Sequence, residues 1–274
     1  MSSTLSKEII ASISNGTHGD PFSVLGLHTV KDDGKEKLVI RALRPEAKAI
    51  SVNIGSAKPL ALDKISDEGL FEVIIPRRKK RFDYSLSITP YEGKKFEIID
   101  SYNFGSLLSD FDLQLWGEGN HQKAYEFMGA HEKKVGKVKG VHFVVSAPSA
   151  VRVSVVGSFN NWDGRVNPMR KFHDQGIWEI FIPHVAEGDL YKFEIKSPVQ
   201  EAPLLKADPY AFKAELRPNT SSIVVGKDAF KWSDEKWMNK RNVRQAKDQP
   251  ISIYELHIGS WRRKVENGRD FLTY

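Results

Sequence analysis

The chain has 274 residues, of which 40% are hydrophobic and 28% are charged. At about 150 residues per domain this length predicts two domains, and the hydrophobic fraction is sufficient for folded cores, which excludes wholesale disorder. The sequence contains no cysteine. Disulfide frameworks, Cys-ligated zinc, iron–sulfur clusters and thiol catalysis are therefore excluded.

The charge and the N-terminal sequence argue against two classes of partner. The net charge of +6 would suit a nucleic acid, but the basic residues are spread along the chain except at 77–81, and no DNA- or RNA-binding motif accompanies that cluster. A solvated hairpin loop is the simpler interpretation. Residues 1–16 contain no apolar stretch of signal-peptide length, and no later segment approaches the roughly 18 apolar residues of a membrane span. We expect a cytoplasmic protein with no nucleic-acid and no membrane partner.

Taken in chain order, the predicted elements are a tail or helix over residues 1–16 and then a series of strands. Apolar and polar residues alternate over 50–55 and 84–89, and again over 151–155 and 191–196. This period of two places the apolar side chains on one face of each strand. The pattern predicts half-buried antiparallel strands and an all-β fold.

The two sets of strands correspond in order, which indicates an internal repeat. Residues 69–76 (GLFEVIIP) are similar to residues 176–183 (GIWEIFIP), and residues 100–104 (DSYNF) are similar to residues 208–212 (DPYAF). A repeat of about 100 residues is a normal size for a β-sandwich. The sequence therefore predicts two tandem immunoglobulin-like β-sandwiches.

Between the repeats, the apolar spacing over 107–113 and 120–128 is typical of short helices, and we expect a hinge in the basic stretch 133–140. After the second repeat the sequence predicts a linker with a short helix. The alternation in ISIYELH, residues 251–257, then predicts one further strand.

Two residues are candidates for ligand binding. Trp162 lies in GSFNNWDG, residues 157–164, where Asn, Asp and Gly favour a turn that presents the indole to a sugar face; packing beneath its own loop is the alternative. Lys192 is on the polar side of an alternating strand, where it either donates to sugar hydroxyls or is an ordinary solvated lysine. Trp178 occupies the position of Phe71 in the first repeat and is predicted to be a core residue.

Signals for other chemistry are absent from the sequence. The eight histidines show no metal-ligand spacing, and the GEG at 117–119 lacks the third glycine of a dinucleotide fingerprint. No phosphate-binding loop or nucleophile elbow occurs. We predict no catalytic residue, no metal and no cofactor.

Four segments carry a resemblance to a known family: residues 19–28 (GDPFSVLGLH), 111–131, 156–164 and 253–262 (IYELHIGSWR). Together they resemble bacterial 1,4-α-glucan (glycogen) branching enzymes. The resemblance implies an N-terminal β-sandwich domain, a carbohydrate-binding module of family 48 and the start of an α-amylase-type (β/α)₈ barrel. The implied organisation is an N-terminal tail or helix (1–16), the first sandwich (17–105), a helical connector (106–136), the second sandwich (137–226), a linker (227–250) and the first strand and stub of a truncated barrel (251–274).

The resemblance also implies a function. Branching enzymes of glycogen biosynthesis cleave an α-1,4 linkage through a covalent glycosyl-enzyme and form an α-1,6 branch, with α-1,4-glucan or glycogen as partner. A complete barrel needs about 250 residues, many more than follow Pro250. We therefore expect this chain, without the missing catalytic barrel, to lack the catalytic carboxylates and to be inactive. A freestanding glycogen- or starch-binding or regulatory module is the alternative.

Trp162 and Lys192 match the sugar-stacking tryptophan and the sugar-contacting lysine of the glycogen-binding modules of energy-sensing kinases. The second tryptophan of those modules has no counterpart in residues 197–205. The first repeat lacks the Asn-Asn-Trp loop and has residues 53–59 in its place. It is expected to be structural or to assist in chain-length selection.

Overall fold

A computed structural model describes residues 3–32, 34–226, 232–266 and 269–271. The chain divides into two compact units, residues 1–227 and 228–274. The larger unit is made mainly of strands in antiparallel sheets, with few helices, so the all-β prediction is confirmed. None of the helices in the described segments has the length and apolarity that a membrane crossing requires.

The first sandwich follows an N-terminal helix, α1 (Lys7–Ser14), which begins after the capping residue Ser6. Its strands are β1 (Gly26–Asp32), β2 (Lys35–Leu43), β3 (Ala47–Asn53), β4 (Leu60–Ala61), β5 (Asp63–Lys64), β6 (Leu70–Ile75), β7 (Ser85–Pro90) and β8 (Phe96–Ile99). They form two four-stranded sheets with the orders β1-β2-β6-β5 and β4-β3-β7-β8. The basic cluster 77–81 is exposed, but it connects strands of two different sheets, so the hairpin expected there is wrong.

The apolar residues of the alternating segments face the interior of this sandwich, as predicted. Ile50 and Val52 of β3 are buried, and so are Leu86 and Ile88 of β7. The antiparallel register pairs Val52 with Leu86 and Ile50 with Ile88. Paired residues project on the same face, so one register buries all four side chains together.

The second sandwich repeats this plan. Its strands are β9 (Gly129–Val135), β10 (Val138–Ser146), β11 (Arg152–Gly157), β12 (Arg170–Phe172), β13 (Ile177–Pro183), β14 (Leu190–Lys196), β15 (Leu204–Lys206), β16 (Lys213–Ala214) and β17 (Ser222–Ile223). One sheet has the order β12-β13-β10-β9; the other has the order β11-β14-β17-β16, with β15 also paired to β14. Trp178 on β13 is fully buried, and its indole N–H donates to Ala147 O at 2.9 Å. The prediction of a core tryptophan is confirmed.

One buried hydrogen-bond motif occurs once in each sandwich. In the first, Tyr84 donates to Asp100 Oδ2 at 2.6 Å, and Asp100 Oδ1 accepts from the Tyr102 backbone N–H. In the second, Tyr191 donates to Asp208 Oδ2 at 2.6 Å, and Asp208 Oδ1 accepts from the backbone N–H two residues later. Burial raises the pKa of both aspartates and of both tyrosines. The shared motif supports the internal repeat at the level of single atoms.

This motif gives a matched test of the repeat. We expect Tyr191→Phe to lower the free energy of unfolding by about 1–3 kcal/mol, because buried Asp208 loses a donor while the ring still fills its site. Tyr84→Phe should produce a loss of similar size through Asp100. Urea unfolding at pH 7 measures both effects, with exposed Tyr125→Phe as the control. Wild-type stability in both buried variants would contradict the expectation.

The segment between the sandwiches differs from its prediction. A helix, α2 (Asp110–Gly117), begins after the capping residue Ser109, but residues 120–128 contain only the short 3₁₀ turn Ala124–Glu126. The hinge expected over 133–140 is wrong, because β9 and β10 form a hairpin there, in which Val135 pairs with Val138. Gly136 has a φ of +59°, the left-handed conformation that this tight connection needs.

The two sandwiches share a hydrophobic core. Leu25, Leu43 and Leu70 of the first sandwich belong to the same buried cluster as Phe143 and Trp178 of the second. Polar contacts reinforce the interface: the Tyr102 hydroxyl donates to Pro168 O at 3.1 Å, and Arg170 donates to Phe104 O at 3.3 Å. The sandwiches therefore form one unit and not two independent modules.

The smaller unit contains α3 (Glu235–Met238), α4 (Arg241–Arg244), α5 (Ile258–Trp261) and a hairpin of β18 (Arg263–Glu266) and β19 (Arg269–Phe271). The strand expected over 251–257 is not formed in this chain, since these residues have no strand pairing in the described part of the unit. Ile251 and Ile253 are exposed. Alternation predicts which face of a strand is apolar, but a strand also requires hydrogen-bonded neighbours.

Candidate functional site

The candidate site is a loop, residues 158–164, that follows β11 and is called the Trp162 loop below. A 3₁₀ turn, Ser158–Asn160, leads into Asn161 and Trp162, which have φ values of +54° and +58°. Two successive non-glycine residues in the left-handed region cost about 1–2 kcal/mol each, so the surrounding contacts must hold this conformation. The Trp162 side chain is 36% exposed. The indole therefore lies at the surface, and the rest of the residue is covered by its neighbours.

Asn160 holds the start of this loop. Its side chain is buried, and its Oδ1 accepts from the Gly157 backbone N–H at 2.9 Å. Its Nδ2 donates to Val155 O at 2.8 Å and to Asn167 Oδ1 at 2.9 Å. The Trp162 backbone N–H donates to Gly157 O at 2.9 Å. Three of these four bonds tie the turn to β11, and the fourth ties it to Asn167. The tryptophan is therefore held close to the end of β11.

The far end of the loop is anchored on the outer face of the same sheet. Arg152 donates to Gly164 O at 2.6 Å and forms a salt bridge with Glu194 on β14. A Cβ on Gly164 would collide with Glu194 Oε1, so a larger residue here would displace the carboxylate that pairs with Arg152. Arg165 forms an ion pair with Asp163, in which Nε and Nη2 of Arg165 both donate to Asp163 Oδ2. Burial raises the pKa of Asp163, but the hydrogen bonds from Arg165 have the larger effect, so the pKa lies below its ordinary value.

Lys192 lies at the same end of this sheet. It pairs with Val156 in the β11–β14 register, and its neighbour Tyr191 pairs with Gly157, which accepts the Trp162 backbone hydrogen bond. The Lys192 side chain is half-buried, and Nζ donates to Thr220 Oγ1 at 2.7 Å. The structure thus brings the two predicted residues to one end of one sheet, and it fixes the lysine through Thr220.

The sequence analysis missed an aromatic pair beside this loop. Tyr91 and Phe96 flank the turn between β7 and β8 and line a groove of about 390 Å³ together with Asn161. The signal for them was present, because the two aromatic residues interrupt an otherwise charged and glycine-containing stretch, YEGKKFE. Within the described residues, no group of three or more His, Asp or Glu side chains is arranged to hold a metal ion.

Comparison with known proteins defines the family to which these sandwiches are similar. Residues 6–102 match the alpha-1,4-glucan branching enzyme GlgB N-terminal domain, and residues 127–211 match carbohydrate-binding module 48, the isoamylase N-terminal domain. The 1,4-alpha-glucan branching enzyme GlgB of Shewanella sp. (strain W3-18-1) is 46% identical over 95% of this chain. The resemblance to branching enzymes is confirmed.

The similarity extends along the chain but covers only part of each relative. The branching enzyme GlgB of Gloeobacter violaceus is 42% identical over 100% of this chain, which corresponds to 37% of that relative, and the Shewanella protein is covered to 35%. The chain therefore spans about a third of the length of these branching enzymes. A crystal structure of pullulanase from Anoxybacillus sp. LM18-11 aligns with 73% of this chain and 28% of its own at 15% identity, with a TM-score of 0.30.

Proposed function

We propose that residues 17–226 are the glucan-binding and scaffold region of a glycogen branching enzyme, with an immunoglobulin-like first sandwich at 17–105 and a binding module at 137–226. In this proposal Trp162 and Lys192 of the second sandwich hold α-1,4-glucan. The observation that carries it is the surface indole of Trp162, held in a left-handed turn by the buried side chain of Asn160. The match of residues 127–211 to carbohydrate-binding module 48 supports it.

The chemistry of the site suits a neutral sugar. An indole covers the apolar face of a glucose ring, and about 80 Å² of covered surface contributes about 2 kcal/mol. Lys192 has three N–H donors and gives one to Thr220, so two are free to bind sugar hydroxyls. One such platform binds a single glucan chain weakly. A glycogen particle presents many chain ends, so multivalent contact raises the overall affinity.

Branch formation belongs to a catalytic barrel, and we place the start of that barrel at residues 251–274. Retaining transfer needs two carboxyl groups about 5–5.5 Å apart. The chain has 35 acidic residues, and none of their pairs stands out in the sequence as an acid/base couple. The 274-residue polypeptide by itself is therefore expected to leave amylose linear. Incubation with amylose followed by debranching and chain-length analysis tests this, and new α-1,6 linkages formed by the polypeptide would overturn it.

Electrophoresis in native gels that contain glycogen tests the binding site. We expect Trp162→Ala to weaken glycogen binding by about tenfold or more, because the stacking surface is removed. The matched control is Trp237→Ala, which removes another exposed indole, 45% exposed, and should leave retention unchanged. Thermal unfolding checks that both variants are folded. Equal retention of Trp162→Ala and the wild type would overturn the site.

A further inference from the structure

The groove beside the Trp162 loop is formed by both sandwiches. Its residues from the first sandwich are at the β7–β8 turn and in the loop before β3, and its residue from the second sandwich belongs to the Trp162 loop. The groove has a volume of about 390 Å³, within the range of about 300–1,000 Å³ that is usual for ligand pockets, and is lined by Glu46, Tyr91, Glu92, Lys94, Phe96 and Asn161.

The two aromatic rings of this groove are exposed, and Tyr91 is held in position by its neighbours. Tyr91 is 59% exposed and Phe96 is 42% exposed. Lys64 Nζ donates to the Tyr91 hydroxyl at 3.0 Å and lies 5.6 Å from the centre of the same ring. The Tyr91 backbone N–H donates to Glu46 O at 3.0 Å. An aromatic platform that is fixed in advance loses little conformational entropy when a ligand covers it.

The remaining lining groups favour a neutral polyhydroxylated ligand. The carboxylates of Glu46 and Glu92 accept hydrogen bonds, the ammonium of Lys94 donates them, and the Asn161 amide does both. Exposed rings beside mixed donors and acceptors are the combination that binds sugar faces and sugar hydroxyls at the same time.

The groove also shares a loop with the proposed site. Asn161 lines the groove and directly precedes Trp162, and both residues adopt the left-handed conformation. A smaller pocket of about 160 Å³ shares Glu46, Phe96 and Asn161 with the groove and reaches inward between the sandwiches. The same turn therefore supplies one residue to the groove and carries the exposed indole of Trp162.

We propose that this groove is a second glucan subsite, in which Tyr91 and Phe96 of the first sandwich extend the platform of Trp162. One α-1,4-glucan chain then contacts both sandwiches, and only a chain of several glucose units reaches from one to the other. This inference rests on the proposed function. It gives the first sandwich a direct part in selecting glucan by length, although that sandwich lacks the Asn-Asn-Trp loop.

Calorimetric titration with maltotriose and maltoheptaose tests the subsite in the 274-residue chain. We expect the wild type to bind maltoheptaose about tenfold more tightly than maltotriose, because the longer chain also covers the groove. Tyr91→Ala/Phe96→Ala should abolish this difference and leave maltotriose affinity unchanged. The control is Phe111→Ala/Tyr125→Ala, which removes two exposed rings that do not line the groove. Trp162→Ala should weaken binding of both sugars.

The outcomes separate the two proposals. Failure of the wild type to bind either sugar, or unchanged affinity in Trp162→Ala, would overturn the proposed function. A normal preference for maltoheptaose in Tyr91→Ala/Phe96→Ala, alongside weakened binding in Trp162→Ala, would overturn the second subsite alone. If the double variant unfolds, amide chemical shifts of the wild type decide. The amides of residues 91–96 should shift with maltoheptaose and not with maltotriose, and unchanged shifts with both sugars would overturn the subsite.

Discussion

Asn160→Asp is expected to lower the free energy of unfolding by about 2–4 kcal/mol and to weaken glycogen binding, although Trp162 is unchanged. The substitution preserves shape, but it replaces the Nδ2 donor with an oxygen that faces Val155 O and Asn167 Oδ1 at the positions now joined by hydrogen bonds of 2.8 and 2.9 Å. Two donor bonds are lost and a charge is buried without a cationic partner. Asn161 and Trp162, which follow in the left-handed conformation, then lose the hydrogen bonds that hold the start of their loop.

Urea unfolding and glycogen-gel retention measure the two effects of this variant. The control is Asn120→Asp, an exposed site where the same change should alter stability by no more than about 0.5 kcal/mol. Burial disfavours the charged form of the new carboxylate, and a lower pH protonates it. The difference in unfolding free energy between the wild type and Asn160→Asp should therefore become smaller as the pH is lowered. Wild-type retention of a destabilised Asn160→Asp variant would show that the buried amide does not position the indole.

The sequence predicted the parts of the fold that depend on local pattern. Alternation identified the buried faces around Val52 and Leu86, and comparison of the repeats assigned Trp178 to the core. The surface location of Trp162 also followed from local chemistry, because Asn, Asp and Gly favour turns.

The remaining features depend on contacts between residues far apart in the chain. Local sequence does not reveal which strand will pair with a segment. The sequence therefore predicts a hinge over 133–140, where the structure has a hairpin, and a strand over 251–257, where no strand pairing is described. The hydrogen bond from Lys192 to Thr220 joins two residues that are far apart in the sequence. The groove that unites Tyr91 with Asn161 exists only because the two sandwiches pack on one core. Composition shows that two aromatic residues stand in a charged stretch, YEGKKFE, but it does not show that Asn161 of the other sandwich lies beside them.

Glu72→Ala is expected to cost about 3–5 kcal/mol of unfolding free energy, the largest loss among the single substitutions considered. Glu72 and Arg41 pair across β2 and β6, with Arg41 Nε donating to Glu72 Oε2 at 2.7 Å, and both side chains are buried. Removing the carboxylate leaves a guanidinium in the interior without its counter-ion. It also releases the N-terminal segment, since Ser3 and Thr4 both donate to Glu72.

The pH dependence of this pair has a definite sign. Burial raises the pKa of Glu72, but hydrogen bonds from Thr4 and Arg41 outweigh burial, so the pKa lies below its ordinary value of 4.5. A carboxyl with a lowered pKa in the folded state contributes stability above the unfolded-state pKa and loses it as the pH falls through the folded-state pKa. The difference in stability between the wild type and Glu72→Ala should therefore be largest near neutral pH and should shrink below about pH 4.5.

A double substitution separates an unpaired charge from a general packing defect. Arg41→Met/Glu72→Met removes both charges and keeps most of the volume, so its stability should lie within about 1–2 kcal/mol of the wild type although Glu72→Ala is severely destabilised. Urea unfolding of the wild type and the two variants, repeated at pH 4 and pH 7, provides the measurement. If the double variant were as unstable as Glu72→Ala at both pH values, the loss would arise from packing or from the freed N-terminal segment, and the buried charge could not be its cause.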